Sequence, residues 1–393
     1  MIERTLAASA VEAARFYPVV TVTGPRQSGK TTLAKACFPD KAYVSLENRD
    51  NREWAVRDPR DFLARFSGGA IIDEVQKAPD LLSYLQTEVD LRPGPCRFVL
   101  TASQDLLLLK SVSQSLAGRT AVLHLYPADL AELRRFEHHP SDLFSTLWSG
   151  GYPAIHDRGI PAGRWMEDYV ATFIERDVRE VVNVGDLFAF QAFVRLCAGR
   201  TGQLLNLSSI AADCGVSHGT ARAWLSVLQA TFVVMLLPPW HTNLNKRLVR
   251  APKLHFIDSG LACHLLRVRS PEDLADHPAR GAIFESWVVS EVMKARAHRG
   301  AAASDLHFFR DRKGLEVDLL VDLGRSLVAV ETKSGRTVAG DFTDALDRFA
   351  KRYAAEPGRR EIRRLLVHGG DDSYEGGGTR FVGWAGVDGL LAQ

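Results

Sequence analysis

Three groups of residues in this chain have the types and spacing that chemistry requires. Gly24-Pro25-Arg26-Gln27-Ser28-Gly29-Lys30-Thr31 satisfies G-x-x-x-x-G-K-[ST], the pattern of a phosphate-binding loop. Gly24 and Gly29 let the backbone turn so that its N–H groups converge on phosphate oxygens, while the helix that follows presents its positive end to the same anion. Lys30 then reaches the β and γ phosphates of ATP, and the Thr31 hydroxyl ligates Mg2+. The nucleotide-contacting stretch runs from Gly24 through Thr32. The second group begins with Asp73-Glu74, which ends the apolar run Gly69-Ala70-Ile71-Ile72. Asp73 is expected to hold Mg2+ mostly through water, and Glu74 to polarise the water that attacks the γ-phosphate. Gln104, with Ser103 as second choice, follows another apolar run and is placed to sense the γ-phosphate. Arg119 sits on a loop before Ala121–Leu125, where a guanidinium could stabilise transition-state charge in its own subunit or a neighbour's.

The third group lies far downstream. Residues two apart on a strand share a face, so Glu331 projects with Lys333, and Glu316 with Asp318. Asp318 at one strand end, Glu331 on the neighbouring strand and Lys333 beside it offer two carboxylates for a divalent metal and one cation. That set suits phosphodiester cleavage, in which metal lowers the pKa of water and lysine steadies the attacking hydroxide or the charged phosphate. The same residues could instead form a buried salt-bridge network.

The elements that must position these groups are legible in outline. Val19–Thr23 is a β-branched run that reads as a buried strand, and Thr32–Ala36 resumes with helix formers. An amphipathic helix is expected over Ile2–Phe16, and strands over Ala42–Leu46, Gly69–Ile72, Arg97–Thr101 and Ala121–Leu125. Helices are predicted over Gly163–Val181 and Phe188–Cys197. Leu207–Ser217 followed by His218–Leu225 reads as a helix, a turn carrying Gly215 and a second helix capped at Ser217, the signature of a helix-turn-helix. Phe232–Leu237 could add a wing strand. Only His218, Thr220 and Arg222 are polar enough on the second helix for base readout. Asn245–Lys253 adds the cations Lys246, Arg247, Arg250 and Lys253 without an acid, which suits a phosphate backbone or a solvated basic loop. Gly281–Met293 opens the last region as a helix. Strands follow at Leu306–Arg310, Glu316–Val321 and Leu327–Lys333, then a helix at Asp341–Tyr353, a strand at Ile362–Val367 and a Gly-rich loop at Gly369–Gly378.

At 393 residues the chain is too long for one core and implies two or three domains. Apolar residues make up 46% and charged residues 24%, ordinary for a globular protein. A net charge of +2 confines any nucleic-acid surface to a local patch. The five cysteines lie far apart with no C-x-x-C pair, against a disulfide framework or zinc ribbon. No secretory signal is apparent, and the longest wholly apolar run, Phe232–Leu237, is far too short for a bilayer. A cytoplasmic location and no membrane association are expected.

Gly24–Leu33, Ile71-Ile72-Asp73-Glu74-Val75-Gln76, Leu100–Gln104 and Leu116–Arg119 together resemble the core of a widespread prokaryotic AAA-type ATPase family with a C-terminal domain of unknown function. The likeness continues through Pro127–Leu133, Gly150–Pro153 and Tyr169–Asp177. The family usually has glycine where this chain has Ala102. The resemblance implies a P-loop core that binds and hydrolyses ATP with Mg2+. Downstream, the strands around Asp318 and Glu331-Thr332-Lys333, the turn at Gly324 and Glu285 on the preceding helix resemble the restriction-endonuclease-like PD-(D/E)xK superfamily. That likeness points to Glu285, Asp318, Glu331 and Lys333. The expected fold is α/β: a P-loop NTPase parallel-sheet core (1–140), a helical and winged-helix-like middle domain (141–245) and an α/β restriction-endonuclease-like C-terminal domain (246–393). The expected function is ATP-driven remodelling of, or translocation on, DNA, coupled to a metal-dependent nuclease-like domain. An ATP-dependent switch with a silent nuclease fold and an ATP-responsive DNA-binding regulator are the alternatives. A role for Arg119 in a neighbour's site would require a homo-oligomer, a ring or a dimer.

Overall fold

The computed structural model describes residues 2–103, 116–174, 186–240, 251–301, 305–354 and 360–391. They form two compact units, one of Met1–Ala128 with Ala230–Phe232 and Arg296–Ala301, the other of the remainder.

The first unit is built on five strands, β1 (Val19–Thr23), β2 (Ala42–Ser45), β3 (Ala70–Asp73), β4 (Phe98–Ala102) and β5 (Thr120–His124). They pair in the order β2-β3-β4-β1-β5, every pair parallel. All residues of β1, β3 and β4 are buried, which is why those runs read as unbroken apolar or β-branched segments. Helices cover this sheet. Lys30–Cys37 follows β1 directly, and Leu81–Leu91 buries Leu81, Leu82, Leu85 and Val89 on one face. The first helix is shorter than expected, Leu6–Ala13, and buries Leu6 and Ala10. Placing β4 between β1 and β3 has a chemical consequence: the side chains at its C-terminal end stand between the phosphate loop and Asp73-Glu74.

The second unit begins with helices that include Leu143–Ser149, Ala162–Tyr169, Leu187–Gly199, Leu207–Asp213 and His218–Ala230. Ala162–Tyr169 continues as a π-helical stretch, Val170–Ile174. Phe190 and Phe193 each meet Trp224 edge-to-face in this region's core. A small antiparallel sheet follows, in the order β6 (Gln203–Leu204), β8 (Lys253–Phe256), β7 (Val234–Leu237). Leu254, Phe256, Leu261, Ala262 and Leu265, all downstream of residue 246, share the core of the middle helices.

The last region is a six-stranded mixed sheet in the order β13-β14-β12-β11-β10-β9. Its strands are β9 (Leu306–Arg310), β10 (Glu316–Asp322), β11 (Ser326–Lys333), β12 (Glu361–His368), β13 (Tyr374–Gly376) and β14 (Thr379–Gly383). The β9-β10-β11 meander is antiparallel, whereas β11, β12 and β14 run parallel. The helices Arg280–Ala297 and Asp344–Ala354 belong to the same region. The stretch expected as a Gly-rich loop, Gly369–Gly378, holds strand β13 and the Gly377-Gly378 turn, at φ 60° and 73°, that leads into its antiparallel partner β14. Among the described residues no helix is long and apolar enough to cross a membrane.

Candidate nucleotide and carboxylate sites

The phosphate loop leaves β1 at its C-terminal end. An added Cβ at Gly24 would lie 2.0 Å from the Leu125 carbonyl oxygen, so no side chain fits. Gly29 and Gln27 have φ of 93° and 63°, and the left-handed turn at Gly29 is the point where the loop enters the helix. Lys30 folds back over the loop and donates from Nζ to the carbonyls of Gly24 (2.9 Å) and Pro25 (2.7 Å). Burial lowers its pKa to about 8 against the pull of Glu74 and Asp73. Ser28 Oγ is buried with no hydrogen-bond partner among the described residues. Arg4, which the sequence reading missed, clamps the loop from outside by donating to the Ser28 and Tyr126 carbonyls at 2.6 and 2.7 Å. Arg26 reaches Glu47 at 3.4 Å.

Asp73 is the hub of the site. Its Oδ1 accepts from the Thr31 hydroxyl at 2.7 Å and the Thr101 hydroxyl at 2.5 Å, and its Oδ2 accepts from Tyr43 at 3.0 Å. Thr101 also accepts from the Glu74 N–H at 3.2 Å, fixing Glu74 in a left-handed conformation with φ 58°. The Glu74 carboxylate is oriented by Ser103 Oγ, which donates to Oε2 at 2.6 Å, and by Gln76 Nε2 on the same oxygen. Thr101 and Gln76 lie in the segments that carry the family resemblance but were given no role there, and Tyr43 carried no signal; their roles come from strand order. Gln104 lies outside the described residues. Arg119 lies elsewhere: its backbone carbonyl accepts from Val19 at the start of β1, the end of the sheet opposite the phosphate loop. Its guanidinium is held by Asp90 at 2.6 and 2.8 Å. A transition-state role in its own subunit is therefore corrected, because β1 separates the two by its own length.

In the second unit the structure gathers the four downstream residues around one it was not expected to include. Glu285 comes from the helix Arg280–Ala297, Glu316 and Asp318 from β10, Glu331 and Lys333 from β11. The antiparallel register pairing Leu319 with Val330 puts Asp318 beside Glu331, and Asp318 Oδ2 accepts from the N–H and hydroxyl of Thr332 at 2.9 and 2.8 Å. Lys333 Nζ donates to Glu331 Oε1 at 2.7 Å, while the buried Glu331 Oε2 has no partner among the described residues. Lys253 enters from the start of β8. It is 1% exposed and its Nζ lies 2.7 Å from Glu285, 2.5 Å from Glu316 and 3.7 Å from Asp318. The expectation that Lys253 faces a nucleic-acid backbone is thus corrected: its buried ammonium points at the half-buried acids Glu285, Glu316 and Asp318. Burial and then the neighbouring Asp318 push Glu285 up to about 8, against Lys253. Burial and Asp318 likewise push Glu331 up to about 7. Lys253 Nζ already lies against the Glu285 and Glu316 oxygens that a divalent ion would share with Asp318, so as it stands the set holds an ammonium at that point.

In the helix pair Leu207–Asp213 and His218–Ala230, Ser217 Oγ caps the second helix by accepting from the Thr220 N–H at 3.0 Å, and Gly215 takes φ 67° in the turn. Ala221, Trp224, Leu225 and Leu228 are buried, leaving His218 and Arg222 exposed. Lys246, Arg247 and Arg250 lie outside the described residues.

Three protein families match in chain order: an AAA domain over residues 17–134, a domain of unknown function (DUF8612) over 140–272 and another (DUF4143) over 280–385. The uncharacterized proteins Rv2008c of Mycobacterium tuberculosis and Mb2031c of Mycobacterium bovis are each 32% identical over 344 residues, 86% of this chain and 75% of theirs. Solved structures align more loosely. The Walker-type ATPase of Pyrococcus abyssi shares 16% identity over 66% of this chain and 94% of its own, with a TM-score of 0.45. A RuvB variant of Thermotoga maritima shares 20% over 59% and 87%, with a TM-score of 0.31. With a AAA domain around the phosphate loop and that degree of identity along its length, the chain belongs to the family of Rv2008c and Mb2031c, as an AAA-type P-loop ATPase.

Proposed function

We propose that this chain hydrolyses ATP with Mg2+ in its N-terminal domain and uses the cycle to remodel or move along DNA held by its middle and C-terminal regions. The observation that carries the first half is the Thr31–Asp73–Glu74–Ser103 constellation. The residues present fit the nucleotide and its metal: a loop with no room for a Cβ at Gly24, an orphaned buried hydroxyl at Ser28, and a hydroxyl and a carboxylate in contact at Thr31 and Asp73. Bound Mg2+-ATP supplies the transferable phosphoryl group and the cation that offsets its charge. Lys30 exchanges its carbonyl partners for phosphate oxygens, and Thr31 and Asp73 hold the metal and its water. Glu74, oriented by Ser103 and Gln76, accepts hydrogen bonding from the attacking water.

The DNA half rests on the sequence resemblance of the segments around Glu285, Asp318, Glu331 and Lys333 to restriction-endonuclease-like domains and on the exposed Arg222 of the helix pair. ATP turnover measured with plasmid, single-stranded and branched DNA tests it. Stimulation by one of these forms, lost in Lys30→Ala, is expected; turnover indifferent to every form, with no DNA retention, refutes it. A second reading, an ATP-dependent switch whose nuclease fold is silent, is favoured by the Lys253 ammonium among the carboxylates. Metal-dependent DNA cutting that disappears in Asp318→Ala and Glu331→Ala but persists in Lys30→Ala would refute this second reading.

A further inference from the structure

We infer that the Lys253 ammonium is the resident cation of the C-terminal carboxylate cluster and takes the place of a divalent metal there. This deepens, and rests on, the reading of the C-terminal domain as a silent nuclease fold. The argument starts from where carboxylate oxygens converge. Glu285 Oε1 and Glu316 Oε1 both close on Nζ, at 2.7 and 2.5 Å, with Asp318 Oδ1 next at 3.7 Å. A hard cation bound to Glu285 and Asp318 would need those same oxygens at about 2.0–2.6 Å. Of the remaining oxygens only Glu331 Oε2 is buried with no partner among the described residues. Asp318 Oδ2 serves Thr332, and Glu316 Oε2 accepts from Arg310 at 3.0 Å. A buried ammonium survives only where anions compensate its lost hydration, and here they do.

The lysine is also held from behind. It is the first residue of β8, the central strand of the three-stranded sheet, and its neighbours are tied into that sheet: the Leu205 N–H donates to the Pro252 carbonyl at 2.8 Å and the Gly202 N–H to the Leu254 carbonyl at 2.7 Å. The ammonium stands over the Phe308 ring at 5.6 Å. The cation therefore comes from one sheet and the acids from another sheet and its helix, so the cluster is neutralised by the packing of this unit rather than by an ion from solution. A dication beside this ammonium would meet its repulsion in a site with little water to screen it.

The test is a Mn2+ titration of the nucleotide-free full-length chain, read by electron paramagnetic resonance and thermal unfolding, for wild type, Asp318→Asn, Lys253→Met and the double variant. Wild type and Asp318→Asn should bind the same number of Mn2+ ions. Lys253→Met should unfold at lower temperature, gain one bound Mn2+ and recover stability with it, and the double variant should lose that gain. Mn2+ binding in wild type that Asp318→Asn removes would overturn the inference, as would a folded Lys253→Met with no added ion. If Lys253→Met does not fold, the wild-type and Asp318→Asn comparison decides alone. DNA cutting by wild type that depends on Asp318 would sink the silent-domain reading itself, whereas no cutting and no gain in Lys253→Met would sink only the role of Lys253.

Discussion

Removing the Ser103 hydroxyl should slow ATP turnover without weakening nucleotide binding. Ser103 is 1% exposed and donates to Glu74 Oε2 at 2.6 Å, while Gln76 Nε2 donates to the same carboxylate oxygen and lies 3.0 Å from Ser103 Oγ. A hydrogen bond to a charged group contributes roughly 1.5–3 kcal/mol. In Ser103→Ala the Gln76 donor remains and the Glu74 backbone is still held by Thr101, so the lower end applies. About 1.5 kcal/mol taken from the transition state corresponds to roughly a tenfold fall in kcat. Among the described residues Ser103 makes no hydrogen bond to the phosphate loop, so KM and the affinity for a fluorescent ATP analogue should stay within about twofold of wild type. Gln76→Ala should cost a similar factor. The double variant should lose more than the product of the two, since neither donor then holds the carboxylate. Steady-state turnover at saturating Mg2+ reads all three. If Ser103→Ala keeps wild-type kcat, or shows its whole effect in KM, then Glu74 is not the group whose orientation limits hydrolysis.

Lys30→Met should abolish nucleotide binding yet stabilise the nucleotide-free chain. A buried lysine brought from 10.5 to about 8 carries a folding penalty of up to about 3 kcal/mol at neutral pH. Below pH 8 both folded and unfolded chains hold the proton, so the penalty is full. Between pH 8 and 10.5 only the unfolded chain holds it, and wild-type stability climbs toward that of the variant. Urea unfolding across pH 7–10 that shows a constant difference would refute the buried ammonium. Gly24→Ala should lose ATP binding, because its methyl would lie 2.0 Å from the Leu125 carbonyl oxygen; normal affinity in equilibrium dialysis would mean the strand ends can part. Arg119→Ala, with its guanidinium facing Asp90 rather than the loop, should keep per-chain turnover at dilutions where the chain is monomeric. A loss there would restore a role in its own site.

The parts of the fold that were legible are those set by neighbours in sequence. The phosphate loop is contiguous, so its pattern alone locates it, and the strand before it is an unbroken β-branched run because both faces of β1 are covered. Asp73-Glu74 was legible for a related reason: acids directly after an apolar run end a buried parallel strand. What holds those acids was not, because Thr101 and Tyr43 reach Asp73 only once β4 and β2 are set on either side of β3. The motif around Thr101 points to Ser103 and Gln104 as sensors, and nothing in it tells that the threonine itself reaches Asp73. The shortfall at Arg119 has a different origin. A loop that precedes a parallel strand lies at the end opposite one that follows a strand, so the direction of β5 already separated Arg119 from Gly24–Thr31.

Lys253 shows where local charge counting fails. Read along the chain, it closes a run with Lys246, Arg247 and Arg250 and no acid, and a run of that kind belongs in water or against phosphate. Read in space, its countercharges are Glu285, Glu316 and Asp318, each separated from it by at least one whole element. The burial signal was present all the same: Leu254 and Phe256 alternate after it on β8, and both sit in the core at 0% and 1% exposure. A lysine at the first position of a fully buried strand must carry its anions with it, since the cost of burying a lone ammonium exceeds what one short strand returns. The downstream acids are therefore no longer free to be counted only as metal ligands. Any chemistry assigned to Asp318 and Glu331 has to begin with where Lys253 goes.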